Sequence, residues 1–210
     1  MLQKNLKGGI GVMSIYCKIG TINSQKTSSL LATAKSYELQ NRNILCIKPS
    51  ADTRDIGVIK SRTGLERQCE TLEPHKDALC DLVIKHLKET NDNIDAIFID
   101  EGQFLSRYNV EEIIILSAEC QLNFLVYGLN VSYTGEPFDS MSTLMAFSKN
   151  VEEISNTLCQ YCNSKAKMNL KLVDGKPVFE GDKISVDKEL FAPQYVPVCP
   201  ICFTKKMLNK

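Results

Sequence analysis

Through residue 154, short apolar runs alternate with stretches that have helical spacing. The apolar runs are rich in β-branched residues and lie at 14–19, 44–48, 94–100 and 122–127. The stretches with helical spacing lie at 28–39, 77–88, 110–118 and 141–154. Apolar strands that alternate with helices are typical of a parallel sheet covered on both faces. The pattern therefore predicts a doubly wound α/β domain.

Composition and charge narrow the class of protein. The 210-residue chain balances 25 Lys and Arg against 25 Asp and Glu, which argues against a nucleic-acid partner. No apolar run approaches the roughly 18 residues of a membrane span, so we expect no membrane partner. The N-terminus lacks the pattern of a signal peptide. We therefore expect a cytoplasmic globular protein, with residues 1–12 as a disordered extension.

The first motif follows the first predicted strand and opens the first predicted helix. Its residues are Gly20, Thr21, Ile22, Asn23, Ser24, Gln25, Lys26 and Thr27. Amides at a helix N-terminus attract anions, Lys26 can reach the β- and γ-phosphates of a nucleotide, and the Thr27 hydroxyl can bind Mg²⁺. The usual phosphate-binding loop has glycine where Gln25 stands. The alternative interpretation is a plain strand-to-helix turn that Ser24 caps, with Lys26 in solvent.

The second motif is the acidic pair Asp100 and Glu101, which follows the apolar run at 94–100. A carboxylate at the end of a parallel strand lies where nucleotide crevices form and where an aspartate holds Mg²⁺. Phosphorylation of an alcohol needs a base near the hydroxyl and a cation near the phosphate, and the pair offers one residue for each task. Two solvated acids at the sheet edge are the alternative.

The third motif is a pair of CxxC sequences formed by Cys159, Cys162, Cys199 and Cys202, four of the nine cysteines. Two such turns complete a tetrahedral Cys₄ site, so the motif predicts a structural Zn²⁺. A turn signal at 174–177 and short alternating runs place the motif in a small β-rich module. We expect a phosphate-loop nucleotide-binding domain at 13–154 and a zinc-binding domain at 155–210.

These three motifs, in this order, resemble the type II, zinc-containing thymidine kinases over most of the chain from about Met13 to Cys202. The resemblance implies transfer of the γ-phosphate of ATP to the 5′-hydroxyl of thymidine, with Glu101 as general base and Asp100 linked to Mg²⁺. It places Gln103 in the ATP site. It implies that the interval between Cys162 and Cys199 is a lasso-shaped loop over the nucleoside. The implied nucleoside-binding residues are Arg54, Phe104, Leu129, Tyr133, Phe138, Asn169 and Tyr195. A homotetramer and feedback inhibition by thymidine triphosphate are also implied.

The chain departs from the family pattern at several of these positions. Gln25 replaces a glycine, Ile22 an apolar residue that is usually Met, Tyr133 a usual Phe and Asn169 a usual Thr. A catalytically weak nucleotide-binding homologue with a structural or regulatory role is therefore the alternative function. A zinc-ribbon nucleic-acid module fused to an ATPase is a third, and the neutral charge argues against it.

Overall fold

The computed structural model describes residues 14–52, 55–183 and 193–209. The strands are β1 (Ser14–Ile19), β2 (Ile44–Pro49), β3 (Val58–Lys60), β4 (Glu66–Gln68), β5 (Glu70–Leu72), β6 (Ala96–Ile99), β7 (Asn123–Gly128), β8 (Asn150–Glu153), β9 (Met168–Val173), β10 (Lys176–Val178) and β11 (Gln194–Val198). The helices are α1 (Lys26–Leu39), α2 (Leu79–Thr90), α3 (Arg107–Glu119), α4 (Asp139–Phe147) and α5 (Pro200–Leu208), and a 3-10 turn spans Gly102–Phe104.

A six-stranded parallel sheet in the order β5-β2-β6-β7-β1-β8 forms the centre of the protein. Successive residues of a strand point to opposite faces, so the continuous apolar runs build two cores. Phe98 of β6 packs with Leu30 and Ala34 of α1 on one face. Ile97 of the same strand packs with Ile113 of α3 on the other face, where α2 and α4 also contribute. The doubly wound α/β prediction is confirmed.

The segment 141–154 contradicts the prediction of one helix. Helix α4 ends at Phe147, and the following residues form β8, which pairs in parallel with β1. The pairing is flanked by backbone hydrogen bonds from Lys149 to Ile15 and from Ile154 to Ile19, at 2.8 and 2.7 Å. The edge of β1 offers these backbone partners, and pairing with them outweighs the helical spacing of the apolar residues.

Two smaller sheets accompany the central one. Strands β10, β9 and β11 form an antiparallel sheet in that order, and β3 and β4 form a hairpin. The three-stranded sheet has its own core, which includes Leu170, Val198 and Phe203 of α5. The predicted β-rich character of the C-terminal part is therefore confirmed.

Three expectations from the sequence receive no test from this architecture. The extension at 1–12 and the candidate residue Arg54 lie outside the described residues. The domain division after residue 154 stays a prediction. Within the described ranges, no helix combines the length and the apolar character that crossing a bilayer requires.

Candidate active site

The loop between β1 and α1 holds a non-glycine residue in the left-handed backbone conformation that glycine usually adopts in phosphate-binding loops. Gln25, the residue before the helix, has φ 67° and ψ 26°, in the left-handed region. This conformation costs a non-glycine residue roughly 1 kcal/mol, which is why glycine is usual there. No side chain caps the helix, and Lys26 is buried, so the alternative of a Ser24-capped turn with a solvated lysine is wrong.

Buried polar groups of this loop suit an anionic ligand. The Ser24 hydroxyl is fully buried and has no hydrogen-bond partner among the described residues. A Cβ on Gly20 would lie 2.4 Å from that hydroxyl oxygen, so glycine is needed for this packing. Lys26 Nζ donates to the Thr21 carbonyl at 2.8 Å. Burial lowers the pKa of Lys26, and the nearby Glu101 and Asp100 carboxylates oppose that shift.

Asp100 lies at the carboxyl end of β6, against the start of α1. Its Oδ2 accepts a hydrogen bond from the Thr27 hydroxyl at 3.1 Å. Burial, and then the charge of Glu101, raises the pKa of Asp100 to about 7, although Thr27 and Lys26 act in the opposite direction. The positive charge near an ionised Asp100 carboxylate therefore does not fully compensate its negative charge, and a bound cation would stabilise it. The Thr27 and Asp100 oxygens therefore fit the ligand preference of Mg²⁺.

The Glu101 carboxylate is held in place by Gln103. The Gln103 amide nitrogen donates to Glu101 Oε2 at 2.5 Å, while its amide oxygen accepts from the backbone of Leu129 at 2.9 Å. The second bond fixes which end of the amide faces Glu101. A Cβ on Gly128 would lie 2.9 Å from the Gln103 amide oxygen, so this glycine allows the approach. The family resemblance implied a place for Gln103 in the ATP site, which stays a prediction, and its described side-chain contacts are with Glu101 and the Leu129 backbone.

One cavity of about 840 Å³ brings together most of the predicted site residues. The predicted residues that line it are Ile22, Asn23, Ser24, Gln25, Lys26, Thr27, Asp100, Glu101, Gln103, Phe104, Leu129, Tyr133, Phe138, Asn169 and Tyr195. Gly20 and Thr21 belong to the same loop but are not part of this lining. The volume lies within the range of pockets that enclose small ligands.

Two of the predicted nucleoside-binding residues have structural contacts of their own. Asn169 of β9 accepts a hydrogen bond from the Ile22 backbone at 2.8 Å and donates to the Val131 carbonyl at 3.0 Å. It thus ties the phosphate loop to the C-terminal sheet. The Tyr133 ring lies edge-on to Tyr195 with centroids 6.1 Å apart, and its hydroxyl donates to the Asp182 carbonyl at 3.1 Å.

Sequence reasoning did not select four cations that line the cavity, one of which is Lys60. Lys48 forms a buried ion pair with Asp52 at 3.2 Å. Arg62 and Lys183 also line the cavity. Lys and Arg side chains are usually solvated, so residue type alone did not mark them as site residues. The β3–β4 turn joins the site through its position beside the phosphate loop.

The four cysteines of the CxxC pairs form one cluster in the C-terminal module. Their sulfur atoms all lie within 4.8 Å of one another. Cys162 Sγ is 3.6 Å from Cys199 Sγ and 3.8 Å from Cys202 Sγ. A disulfide needs about 2.05 Å, whereas thiolates at about 2.3 Å from a tetrahedral Zn²⁺ lie about 3.8 Å apart. The cluster therefore fits Zn²⁺, with no room in its ligand set for a catalytic water.

The parallel sheet, the loop at the N-terminus of α1 and the acids at the end of β6 define an α/β protein of the phosphate-loop class. Comparison with known proteins narrows this class. Residues 13–203 match the family model described as thymidine kinase. A thymidine kinase of Streptococcus gordonii is 33% identical over 196 residues, which cover 93% of this chain and 98% of the relative.

Two further relatives match over similar lengths. A thymidine kinase of Streptococcus pyogenes serotype M3 is 32% identical over 186 residues, 88% of this chain and 94% of its own. A thymidine kinase of Streptococcus agalactiae serotype Ia has the same identity and coverage. The chain belongs to the thymidine kinase family, a family of phosphotransferase enzymes. The resemblance seen in the motifs is confirmed.

Proposed function

We propose that this protein transfers the γ-phosphoryl group of ATP to the 5′-hydroxyl of thymidine. The observation that carries the proposal is the single cavity that connects the phosphate loop, the Glu101 carboxylate and a set of aromatic side chains. Such a cavity would hold an alcohol between a base and a bound phosphate. Phosphoryl transfer needs this positioning more than it needs covalent help from the protein.

At the phosphate end, the amides that begin α1 and the buried Lys26 ammonium would bind the β- and γ-phosphates. The orphaned Ser24 hydroxyl supports this assignment, because a buried hydroxyl without a partner is costly and a phosphate oxygen would satisfy it. Thr27 and Asp100 would hold Mg²⁺, which neutralises charge on the phosphates when it is bound.

At the reacting centre, Glu101 would accept the proton of the nucleoside 5′-hydroxyl. The hydroxyl oxygen then forms a bond to the γ-phosphorus as the bond from that phosphorus to the ADP oxygen breaks. The Gln103 amide donates to the same carboxylate, and this hydrogen bond fixes the orientation of the carboxylate in the cavity. Gln103 is thus proposed as a positioning residue for the base.

At the nucleoside end, Phe104, Leu129 and Phe138 would give the thymine ring and its methyl group an apolar surface. Tyr133 and Tyr195 would close the side of the cavity that faces the C-terminal sheet. Asn169 would act by holding that sheet against the phosphate loop, since both ends of its amide bind backbone groups.

The remaining parts of the proposal come from sequence patterns or from the family resemblance. Zn²⁺ at the four cysteines would be structural and would anchor the ends of the lasso-shaped segment. The homotetramer, feedback inhibition by thymidine triphosphate, a cytoplasmic location and the lack of a nucleic-acid partner stay predictions.

The test is a measurement of ADP formation with and without thymidine. Turnover that requires the nucleoside supports the proposal, and ATP hydrolysis that ignores thymidine contradicts it. Glu101→Gln should abolish the nucleoside-dependent part. Glu119→Gln, at the exposed end of α3, is the matched control and should leave turnover unchanged.

A further inference from the structure

The turn between β3 and β4 lies directly beside the phosphate loop. The Arg62 guanidinium in this turn donates to the Asn23 amide oxygen, and Thr63 lies within hydrogen-bond distance of Ser28 of α1, at 3.2 Å. Arg62 and Thr63 both line the cavity. The turn is fixed by the Ser61 side chain, which exchanges two hydrogen bonds of 3.1 Å with the Leu65 backbone. The guanidinium is thus presented to the loop by an ordered turn.

The charges around the cavity distinguish Arg62 from most of the other cations. Lys48 pairs with Asp52 at 3.2 Å. Two further lining lysines also have carboxylate partners, at 3.6 Å for Lys60 and 3.1 Å for Lys183. Among the described contacts, Arg62 touches only a neutral amide oxygen.

Lys26 shares this property with Arg62, because its described hydrogen bonds are to backbone carbonyls. Both cations are held at the same loop, because Arg62 contacts Asn23 and Lys26 begins the helix that follows this loop. Two like charges held at one anion-binding loop repel each other, and an anion bound between them would offset that repulsion. The pair is therefore arranged for a ligand that carries more than one negative charge.

We propose that Arg62 is a phosphate-binding residue that moves from the Asn23 amide oxygen to the terminal phosphate of ATP. A phosphate oxygen is a stronger acceptor than a neutral amide, and the planar guanidinium can donate two parallel hydrogen bonds to it. In that position Arg62 stabilises the charge that develops on the γ-phosphoryl group during transfer. The proposal rests on the proposed function, because it takes ATP as the ligand.

Calorimetric binding of a non-hydrolysable ATP analogue tests the proposal without turnover. Arg62→Gln should weaken the analogue about 10- to 100-fold, the equivalent of one lost charge-assisted contact. The substitution should weaken ADP binding by a smaller factor, because ADP lacks the terminal phosphate, and should leave the affinity for thymidine unchanged. The affinity of Arg62→Lys for the analogue should lie between those of wild type and Arg62→Gln, because lysine keeps the positive charge but cannot donate two parallel hydrogen bonds. Arg67→Gln is the matched control on the same hairpin, because Arg67 faces Glu38 at 2.6 Å and does not line the cavity.

Each outcome decides the role of Arg62. Equal losses for the ATP analogue, ADP and thymidine, or an equal loss in Arg67→Gln, would show that the hairpin acts only through the fold and would overturn the proposal. Affinity of Arg62→Gln for the analogue within twofold of wild type would also overturn it. Millimolar guanidinium should partly restore turnover in an Arg62→Ala variant, and a structural role gives no such rescue. If the wild-type enzyme shows no thymidine-dependent turnover, the proposed function fails, yet the binding comparison still decides the role of Arg62.

Discussion

Replacement of Asp100 by asparagine is expected to make the ligand-free protein more stable while it abolishes activity. The wild-type side chain is buried at the end of β6 beside Glu101, and burial raises its pKa to about 7. Asparagine has nearly the same shape and keeps an oxygen that can accept the Thr27 hydroxyl. The substitution therefore removes a buried charge with little change in packing.

The size of the effect follows from the difference in pKa between the folded and unfolded chains. An aspartate whose pKa is about 7 when folded and 3.8 in its ordinary state destabilises the fold by about 4 kcal/mol once it is ionised. Because the folded state binds the proton more tightly, the free energy of unfolding falls as pH rises from about 4 to about 7. The attraction of Lys26 is already included in that pKa, but asparagine buries an amide group in place of the carboxyl, so we expect a net gain of about 1–3 kcal/mol at pH 8.

Urea denaturation at pH 5 and pH 8, without nucleotide, Mg²⁺ or chelator, measures the effect. The advantage of Asp100→Asn over wild type should grow by about 2 kcal/mol between the two pH values. Asp92→Asn is the control, because Asp92 is exposed, and its difference from wild type should not change with pH. An advantage of Asp100→Asn that is equal at both pH values, or a loss of stability at pH 8, would refute the reasoning.

Four further substitutions test other parts of the site. Glu101→Gln should lower kcat about 10²- to 10⁴-fold with ATP affinity retained, as steady-state kinetics and calorimetry would show, and near-normal turnover would exclude it as the base. Gln25→Gly should relieve the left-handed strain, raising the free energy of unfolding by about 1 kcal/mol and tightening ATP binding, and no change in either would mean that the loop has adapted to glutamine. Cys199→Ser should lower the zinc content measured by elemental analysis and should reduce the affinity for thymidine more than the affinity for ATP. Normal thymidine binding in this variant would contradict the prediction. Tyr133→Phe removes the hydroxyl bond to the 180–182 segment and should raise the KM for thymidine about 3- to 10-fold without a change in the KM for ATP, and equal changes in both would count against it.

The central sheet could be predicted because its information is local. Strand β6, for example, is a continuous apolar run, and Asp100 directly follows its last residue. Sequence order then places the ends of β1 and β6 at one edge, which brings Lys26 and Asp100 together. The contacts that refine the site are not local. Arg62 meets Asn23 through the placement of a hairpin, and no periodicity in the sequence encodes that placement.

Strand β8 is another element that the local sequence pattern did not predict. The residues after Phe147 continue the helical spacing of α4, so local pattern alone favours a longer helix. What ends the helix is the unpaired edge of β1, which becomes available only when the sheet has formed. The backbone groups of 150–153 gain partners there, although their side chains stay exposed. Backbone pairing with β1 forms β8, and the pattern of its own side chains does not, so sequence patterns do not predict this strand.

The C-terminal module changes what removal of the metal should do. In the sequence, the interval between the CxxC pairs shows only short alternating runs and a turn signal at 174–177. In the structure this interval has a core of its own, because Leu170, Phe179 and Val196 are buried together with Cys159 and Cys199. The metal site and this core are thus one packed unit, in which the cysteines bury β9 and β11 against α5. Because Asn169 and Tyr195 belong to those same strands, loss of Zn²⁺ should loosen the nucleoside end of the cavity first, while Lys26 and Asp100 stay fixed by the central sheet.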